Sequence, residues 1–490
     1  MNYIEALKNE DIIKTTTENG DTAFKSTGSY NLDLYSLMGS MRYNYKDLNT
    51  LFLRSFYEDK VITTKILLHL RDILKGLGER NSFRMLYNML ANLDPEIARA
   101  IIPVITNYGR YDDLLSGFNT PIEKDILKYI EIALDKDLDN LKQNRPISLL
   151  AKWLPSINTS NKEARDLAKR IANHLNLSNE EYRKMLSNLR KNLIIENNLR
   201  EKDYTFDYSK VPSQAMLKYS QAFIRNDFER FDKFLNQVEL GEAKINTSTA
   251  QVGQVAYNLN VTTNIPVTER FQDLYWKNLP ETKSTTKAIV VRDGSSSMTW
   301  GSGGLLPSQV ATSLALYFSE SLPEPFKNHF ITFSDHPELI KIPEGTLKEK
   351  LDYIKTFDHV ENTNISKVYE LLLNAAKNGN VSQEDMVEQV IIISDMEFDE
   401  CIDGTSTFDT YKDKFNKLDL KMPELVFWNV ESRNIKYPVL ENELGVKLVS
   451  GSSQKILELV LDNDLDAITP YDFMLKVLER YNEVDELIIK

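Results

Sequence analysis

The chain has 490 residues, 42% hydrophobic and 27% charged, with a formal net charge of −13, the composition of a globular protein with room for two or three domains and real cores. A single cysteine, Cys401, excludes an intramolecular disulfide, and one cysteine with five histidines excludes a Cys/His zinc module. The charge is unevenly spread: residues 1–285 carry 39 Lys and Arg against 37 Asp and Glu, residues 286–490 carry 20 against 35, and residues 141–200 alone carry 12 against 5, so two electrostatic characters meet near residue 285.

The first residues, MNYIEALKNEDIIK, mix charges and lack an apolar core of signal-peptide length. No apolar run approaches the roughly 18 residues of a membrane helix. These features predict a cytoplasmic protein with no membrane partner. Residues 1–30 are polar and read as an N-terminal arm or a partly ordered segment. From 31 to 240 the pattern is helical. VITTKILLHLRDILKGLGER sets Ile62, Ile66, His69, Leu70 and Ile73 on one stripe, ended by Gly76 and Gly78. NSFRMLYNMLANL is the next helix, with Asn81 or Ser82 as its expected N-cap. Short helices punctuated by Pro95, Pro103, Pro121, Pro146 and Pro155 predict an all-α array of hairpins of the HEAT-like kind.

Residues 241–285, rich in Thr, Asn, Val and Gln, read as a linker with the composition to hold a strand, and Trp276 as the anchor of its end. From 286 to 490 strands alternate with helices. Strands are predicted at Ala288–Arg292, His329–Phe333, Val390–Ser394, Glu424–Trp428 and Val446–Val449. Helices are predicted at Pro307–Leu322, Leu347–Lys355, Ile365–Lys377 and Thr407–Asn416, and two more follow with Ser452 and Thr469 as N-caps. Continuous apolar strands alternating with helices predict a doubly wound, mostly parallel sheet.

In such a sheet ligands bind beyond the carboxyl ends of the strands, near the switch in strand order. Asp293 follows one strand and Asp395 another, and Asp293-x-Ser295-x-Ser297 places two hydroxyls on one turn. Carboxylates and hydroxyls suit a hard divalent cation, Mg²⁺ first, Mn²⁺ or Ca²⁺ next. A phosphate cradle would need a lysine that WGSGGLLPSQ lacks. A phosphotransfer or hydrolase enzyme with Asp293 as nucleophile would need an assisting acid or lysine that the sequence does not place. Glu397 and Asp399, in SDMEFDE, border the site or are simply solvated.

DGSSS resembles the D-x-S-x-S signature of the von Willebrand factor A domain and its metal-ion-dependent adhesion site. Thr363, in ENTNIS, and Asp395, in IIISDMEFD, stand where that family has its threonine and second aspartate. The resemblance implies that Ser295, Ser297 and Thr363 touch the metal, and that Asp293 and Asp395 hold it through water or hydroxyls. It also implies a position open to an acidic residue of a protein partner. Ser296 departs from the usual glycine, which matters only if that position needs positive φ.

The whole chain from about Asn31 to Leu461 resembles the Ro (TROVE) architecture, and more closely its relative, domain-of-unknown-function family 2828. The resemblance rests on RDILKGLGERNSF, NYGRYDDLL, AKWLPS, YRKMLSNLRKNL, VPSQAM, NTNISKVYELLL, SDMEFD, PELVFWNV and KLVSG. It implies a non-catalytic ribonucleoprotein component that holds structured RNA or single-stranded RNA ends. The residues expected to carry RNA phosphates are Lys152, Lys162, Arg165, Lys169, Arg170, Arg183, Lys184, Arg190 and Lys191. Trp153, Tyr182, Tyr108 and Tyr111 are the candidate base platforms, and Arg80 and Arg110, after glycine turns, face a ring interior or cap a helix. The alternative is a metal-dependent protein-interaction scaffold that takes no RNA.

Overall fold

The computed structural model describes residues 14–20, 22–191, 193, 195–257, 265–282, 284–358, 363–398, 407–462 and 468–488. It opens on an antiparallel hairpin, β1 (Lys14–Thr16) and β2 (Thr22–Phe24). Helices then follow one another from Tyr30–Leu37 to Ile265–Lys277. The expected stripe forms the helix Lys60–Arg71, which stops at Asp72, short of Ile73 and of the glycines expected to end it; Asp59 starts it, its carboxylate accepting from the amides of Val61 and Ile62. The basic stretch forms Lys162–His174 and Asn179–Arg190; Ser178 and Glu181 close a capping box on the second.

The C-terminal sheet has six strands: β3 (Ala288–Asp293), β4 (His329–Phe333), β5 (Leu339–Lys341), β6 (Gln389–Ser394), β7 (Glu424–Asn429) and β8 (Val446–Ser450), in the order β5-β4-β3-β6-β7-β8. All pairings are parallel except β4 with the edge strand β5. Every residue of β3, β6 and β8 is buried, so the sheet is covered on both faces. Burial of Ile289, Val290 and Val291 in β3 stabilises it by roughly 1.5–3 kcal/mol each. The helix Pro307–Ser321 packs across β3, β4 and β6. The strand order reverses between β3 and β6, which puts the switch point where Asp293 and Ser394 end their strands.

Two expectations are corrected. The stretch 241–285 is no linker with a strand: it holds the helices Val252–Tyr257 and Ile265–Lys277, packed on Pro307–Ser321 and on Phe228–Glu239. Its Val and Thr content argued for extended chain, but Val252, Val255 and Ala256 are buried at helical spacing, and packing overrides propensity. Trp276 does anchor its end, donating to Glu320 at 2.8 Å and meeting the Tyr317 ring edge-on. Residues 258–264 lie outside the described residues.

The N-terminal arm is ordered in part. Residue 24 pairs with Tyr437 through two 2.9 Å backbone bonds, and residues 1–13 lie outside the described residues. Lastly, the chain does not divide cleanly near 285. The helix Tyr30–Leu37 packs on β8, and the C-terminal helices Pro470–Leu478 and Glu483–Ile488 pack on Lys60–Arg71, all in one continuous core. Polar clasps hold these crossings: Arg480 to Asp72 at 2.7 Å, Tyr108 to Glu483 at 2.6 Å, and Lys65 to Asp485 at 2.8 Å.

Candidate metal centre and the basic surfaces

β3 and β6 lie side by side, and their tips bring the two aspartates together. Asp293 is fully buried; Oδ1 accepts from the Ser295 amide at 2.8 Å and Oδ2 from the Ser394 hydroxyl at 2.6 Å. Burial first, and then the charge of Asp395 beside it, push the Asp293 carboxyl up to about 6. Asp395, 5% exposed, receives Arg433 at 2.7 Å on Oδ2. Met396 takes φ 65°, and this bend sends the chain back, so that the Glu397 carbonyl accepts from Thr363 Oγ1 at 3.2 Å. Thr363 is buried at the same edge.

Ser295 Oγ and Ser297 Oγ are 2.9 Å apart. Neighbouring oxygens in an octahedral shell with Mg–O of about 2.1 Å stand roughly 2.9–3.0 Å apart, so the pair fits two adjacent positions on one such ion. The donor set of three hydroxyls and two carboxylates is all oxygen, the chemistry of Mg²⁺ or Mn²⁺. Among the described residues no group of three His, Cys, Asp or Glu could hold a metal; this set has only two such side chains.

Ser296 begins a 3-10 turn, Ser296–Thr299, and is not among the positive-φ residues, so the missing glycine costs nothing there. The glycine that matters is Gly294. A Cβ on it would stand 2.9 Å from the Phe357 carbonyl and 3.2 Å from the guanidinium of buried Arg292, which pairs with Asp358.

The sequence missed what surrounds these five residues. Arg433 also lies 3.5 Å from Glu18 of the N-terminal hairpin. Glu397 is not merely solvated: its carboxylate accepts from the Glu18 amide at 2.7 Å, and its carbonyl accepts from Asn19 at 2.8 Å. Arg433 was findable, since it follows the tip of β7, which the predicted sheet puts on the same edge. The hairpin carried no such signal. Asp399 and Cys401 lie outside the described residues.

The expected RNA residues fall into two groups. Lys162, Lys169, Arg183 and Lys191 are exposed, and their side chains make no hydrogen bond or ion pair among the described residues. Lys184 is exposed and pairs with Glu180 at 2.8 Å. The others are tied inward. Arg165 donates to the carbonyls of Thr159 and Ser160. Arg170 pairs with Glu123 and covers the Phe118 ring at 5.1 Å. Arg190 bonds Ala151 O at 2.7 Å, and Leu154 O and Ser156 Oγ at 2.6 Å. Lys152 sits 5.2 Å from the Trp153 ring.

Two of the proposed base platforms are core. Tyr182 is fully buried with its hydroxyl on Pro155 O, and Tyr108 fills the gap against Tyr481, ring centroids 5.0 Å apart. Tyr111 and Trp153 are half-buried. Arg80 takes the N-cap position of Asn81–Leu93 without a side-chain cap, where Asn81 or Ser82 was expected.

Residues 124–279 match the family model of a domain of unknown function, DUF2828, and residues 287–482 match that of a second, DUF7788. The first lies within the helical part and the second spans the sheet. The chain is 29% identical over 506 residues to uncharacterized protein L728 of Acanthamoeba polyphaga mimivirus, covering 95% of this chain and 87% of that one. The crystal structure of the Deinococcus radiodurans Ro (RSR) protein aligns with 91% of this chain and 93% of that one, at 13% identity and a TM-score of 0.39, too loosely to place any residue. Among the described residues no helix is long and apolar enough to cross a membrane.

Proposed function

We propose that this chain is a non-catalytic, Ro-like holder of RNA whose sheet is a von Willebrand factor A-type module for a divalent cation. The observation that supports the metal reading is the adjacency of Asp293 and Asp395 at the switch point, with the Ser295 and Ser297 hydroxyls at the spacing of adjacent ligands and Thr363 bonded to the Glu397 carbonyl. Ser295, Ser297 and Thr363 would hold the ion, and Asp293 and Asp395 would orient those hydroxyls and balance its charge. The ion would supply a Lewis-acidic point for an acidic group of a partner. The helical part, read as a HEAT-like array, would hold RNA by the exposed cations Lys162, Lys169, Arg183 and Lys191, which no carboxylate of the described chain neutralises.

The test is binding of the purified chain to mixed structured and single-stranded RNA at low and moderate salt. Reversal of Lys162, Lys169, Arg183 and Lys191 to glutamate is the control. Wild type is expected to bind with an affinity that falls steeply with salt, and the reversal to lose most of that slope, about one unit per phosphate contact removed. Absence of binding at low salt favours the metal-dependent protein scaffold instead.

A further inference from the structure

Three sequence motifs that are far apart in the chain meet at one place. Helix Lys60–Arg71 ends in Arg71, which bonds Asp113 at 2.7 Å with both side chains buried. Arg84 bonds Asp113 at 2.7 Å and lies 2.7 Å from Asp112. Arg110 bonds Asp112 at 2.9 Å and sets its guanidinium carbon over Trp153, 3.6 Å from the ring centroid. Gly109 makes this possible, because a Cβ there would stand 2.6 Å from Asp113 Oδ2 and 3.0 Å from Arg71.

Arg80 completes the group. It is exposed, and its side chain makes no hydrogen bond or ion pair among the described residues. Partial burial first, then the neighbouring guanidiniums of Arg110 and Arg84, hold it below the usual arginine range. It also stands at the start of Asn81–Leu93, a helix whose first turn no side chain caps. The four arginines thus cluster by two aspartates, Arg71, Arg84 and Arg110 in contact with them and Arg80 one turn before Arg84. Three of them are locked in orientation by those aspartates and by Trp153, and the fourth is free. With Glu79 shared between Arg42 and Arg71, a surplus of about one to two positive charges beside an open helix start suits a phosphate monoester, which carries about −1.5 to −2 at neutral pH.

We infer that Arg80, with Arg84 and Arg110 behind it, forms a binding site for a phosphate monoester, the terminal phosphate of an RNA strand or of a free nucleotide. The RNA source rests on the reading above; the phosphate site itself does not. Arginines tied to carboxylates keep free N–H groups on their outer edges, and their fixed planes suit a tetrahedral anion better than mobile lysines would.

The experiment is calorimetric titration of the full chain with AMP, adenosine, and a short single-stranded RNA bearing either a 5′-phosphate or a 5′-hydroxyl. AMP is expected to bind at least about tenfold tighter than adenosine, the worth of one charge-assisted contact. The phosphorylated RNA should exceed its hydroxyl counterpart by a similar factor. Arg80→Gln should erase both preferences and Arg80→Lys should restore part of them. Arg80 has no partner to lose, so folding is not at stake. If RNA does not bind but AMP keeps its preference, the RNA reading fails and this site stands with a free nucleotide as its ligand. If RNA binds with no preference for phosphate and AMP matches adenosine, this site falls and the RNA reading stands. Full preference retained in Arg80→Gln overturns the assignment as well.

Discussion

The strand tips and the arginine cluster are opposite solutions to one problem. At the tips, Asp293 and Asp395 are two buried carboxylates with one nearby guanidinium, Arg433, on the outer of them. In the cluster, Arg71, Arg84 and Arg110 meet Asp112 and Asp113, and Arg80 stands one turn before Arg84. Each site is assembled from segments distant in sequence, and each is left with a surplus charge. Two buried carboxylates with incomplete counter-charge are costly, which suits the cation proposed for the tips, while the exposed, unpaired Arg80 suits the anion proposed for the cluster.

The comparison breaks most visibly at Asp113, the fully buried anion that two arginines share. Asp113→Ala strands Arg71 in the core and should cost about 3–5 kcal/mol, read by chemical denaturation. A cost under 1 kcal/mol would mean that the cluster is solvated and holds no surplus. A smaller effect sharpens the acidic side. Asp33 is buried beside the N-terminal hairpin; its carboxylate accepts from Thr27 and Ser26, all at 2.7 Å, yet burial outweighs these bonds and raises it to about 6. The folded state therefore binds its proton more tightly than the unfolded state. This contribution to stability is present in full below about pH 4 and is lost as pH rises through 6. Asp33→Asn should remove a pH-dependent term on the order of 2–3 kcal/mol from the difference between pH 4 and pH 7. An unchanged pH profile would show that Asp33 is ionised in the fold.

Much of the sheet was legible because its strands are unbroken apolar runs. AIVV, VIII and VFW cannot be solvated, and each ends in the polar residue that marks its tip. The placing of Asp293, Ser295, Ser297 and Asp395 just beyond strand ends was legible for the same reason, since strand ends are fixed by the runs that precede them, whereas Thr363 stands before the helix Ile365–Gly379. Leu339–Lys341 was not, because three residues with one buried side chain make no run. Nor were the helices of 241–285, whose Val and Thr residues take their conformation from Pro307–Ser321. The packing of Tyr30–Leu37 on β8 and of Pro470–Leu478 on Lys60–Arg71 is a choice among apolar faces that no local pattern encodes. The arginine cluster was half visible: Gly109-Arg110 and Gly78-Glu79-Arg80 stood out as turns, but their meeting depends on Asp113 reaching Arg71 across 42 residues.

The central claim is that the strand tips bind one divalent cation through hydroxyls set by two buried carboxylates. Calorimetric titration of the full chain with Mn²⁺ and Mg²⁺, beside Asp293→Ala and Thr363→Ala, tests it most directly. Wild type should take up a single ion, and both variants should lose it while keeping the circular dichroism of the folded sheet. No uptake by wild type, or undiminished uptake by both variants, would contradict the account.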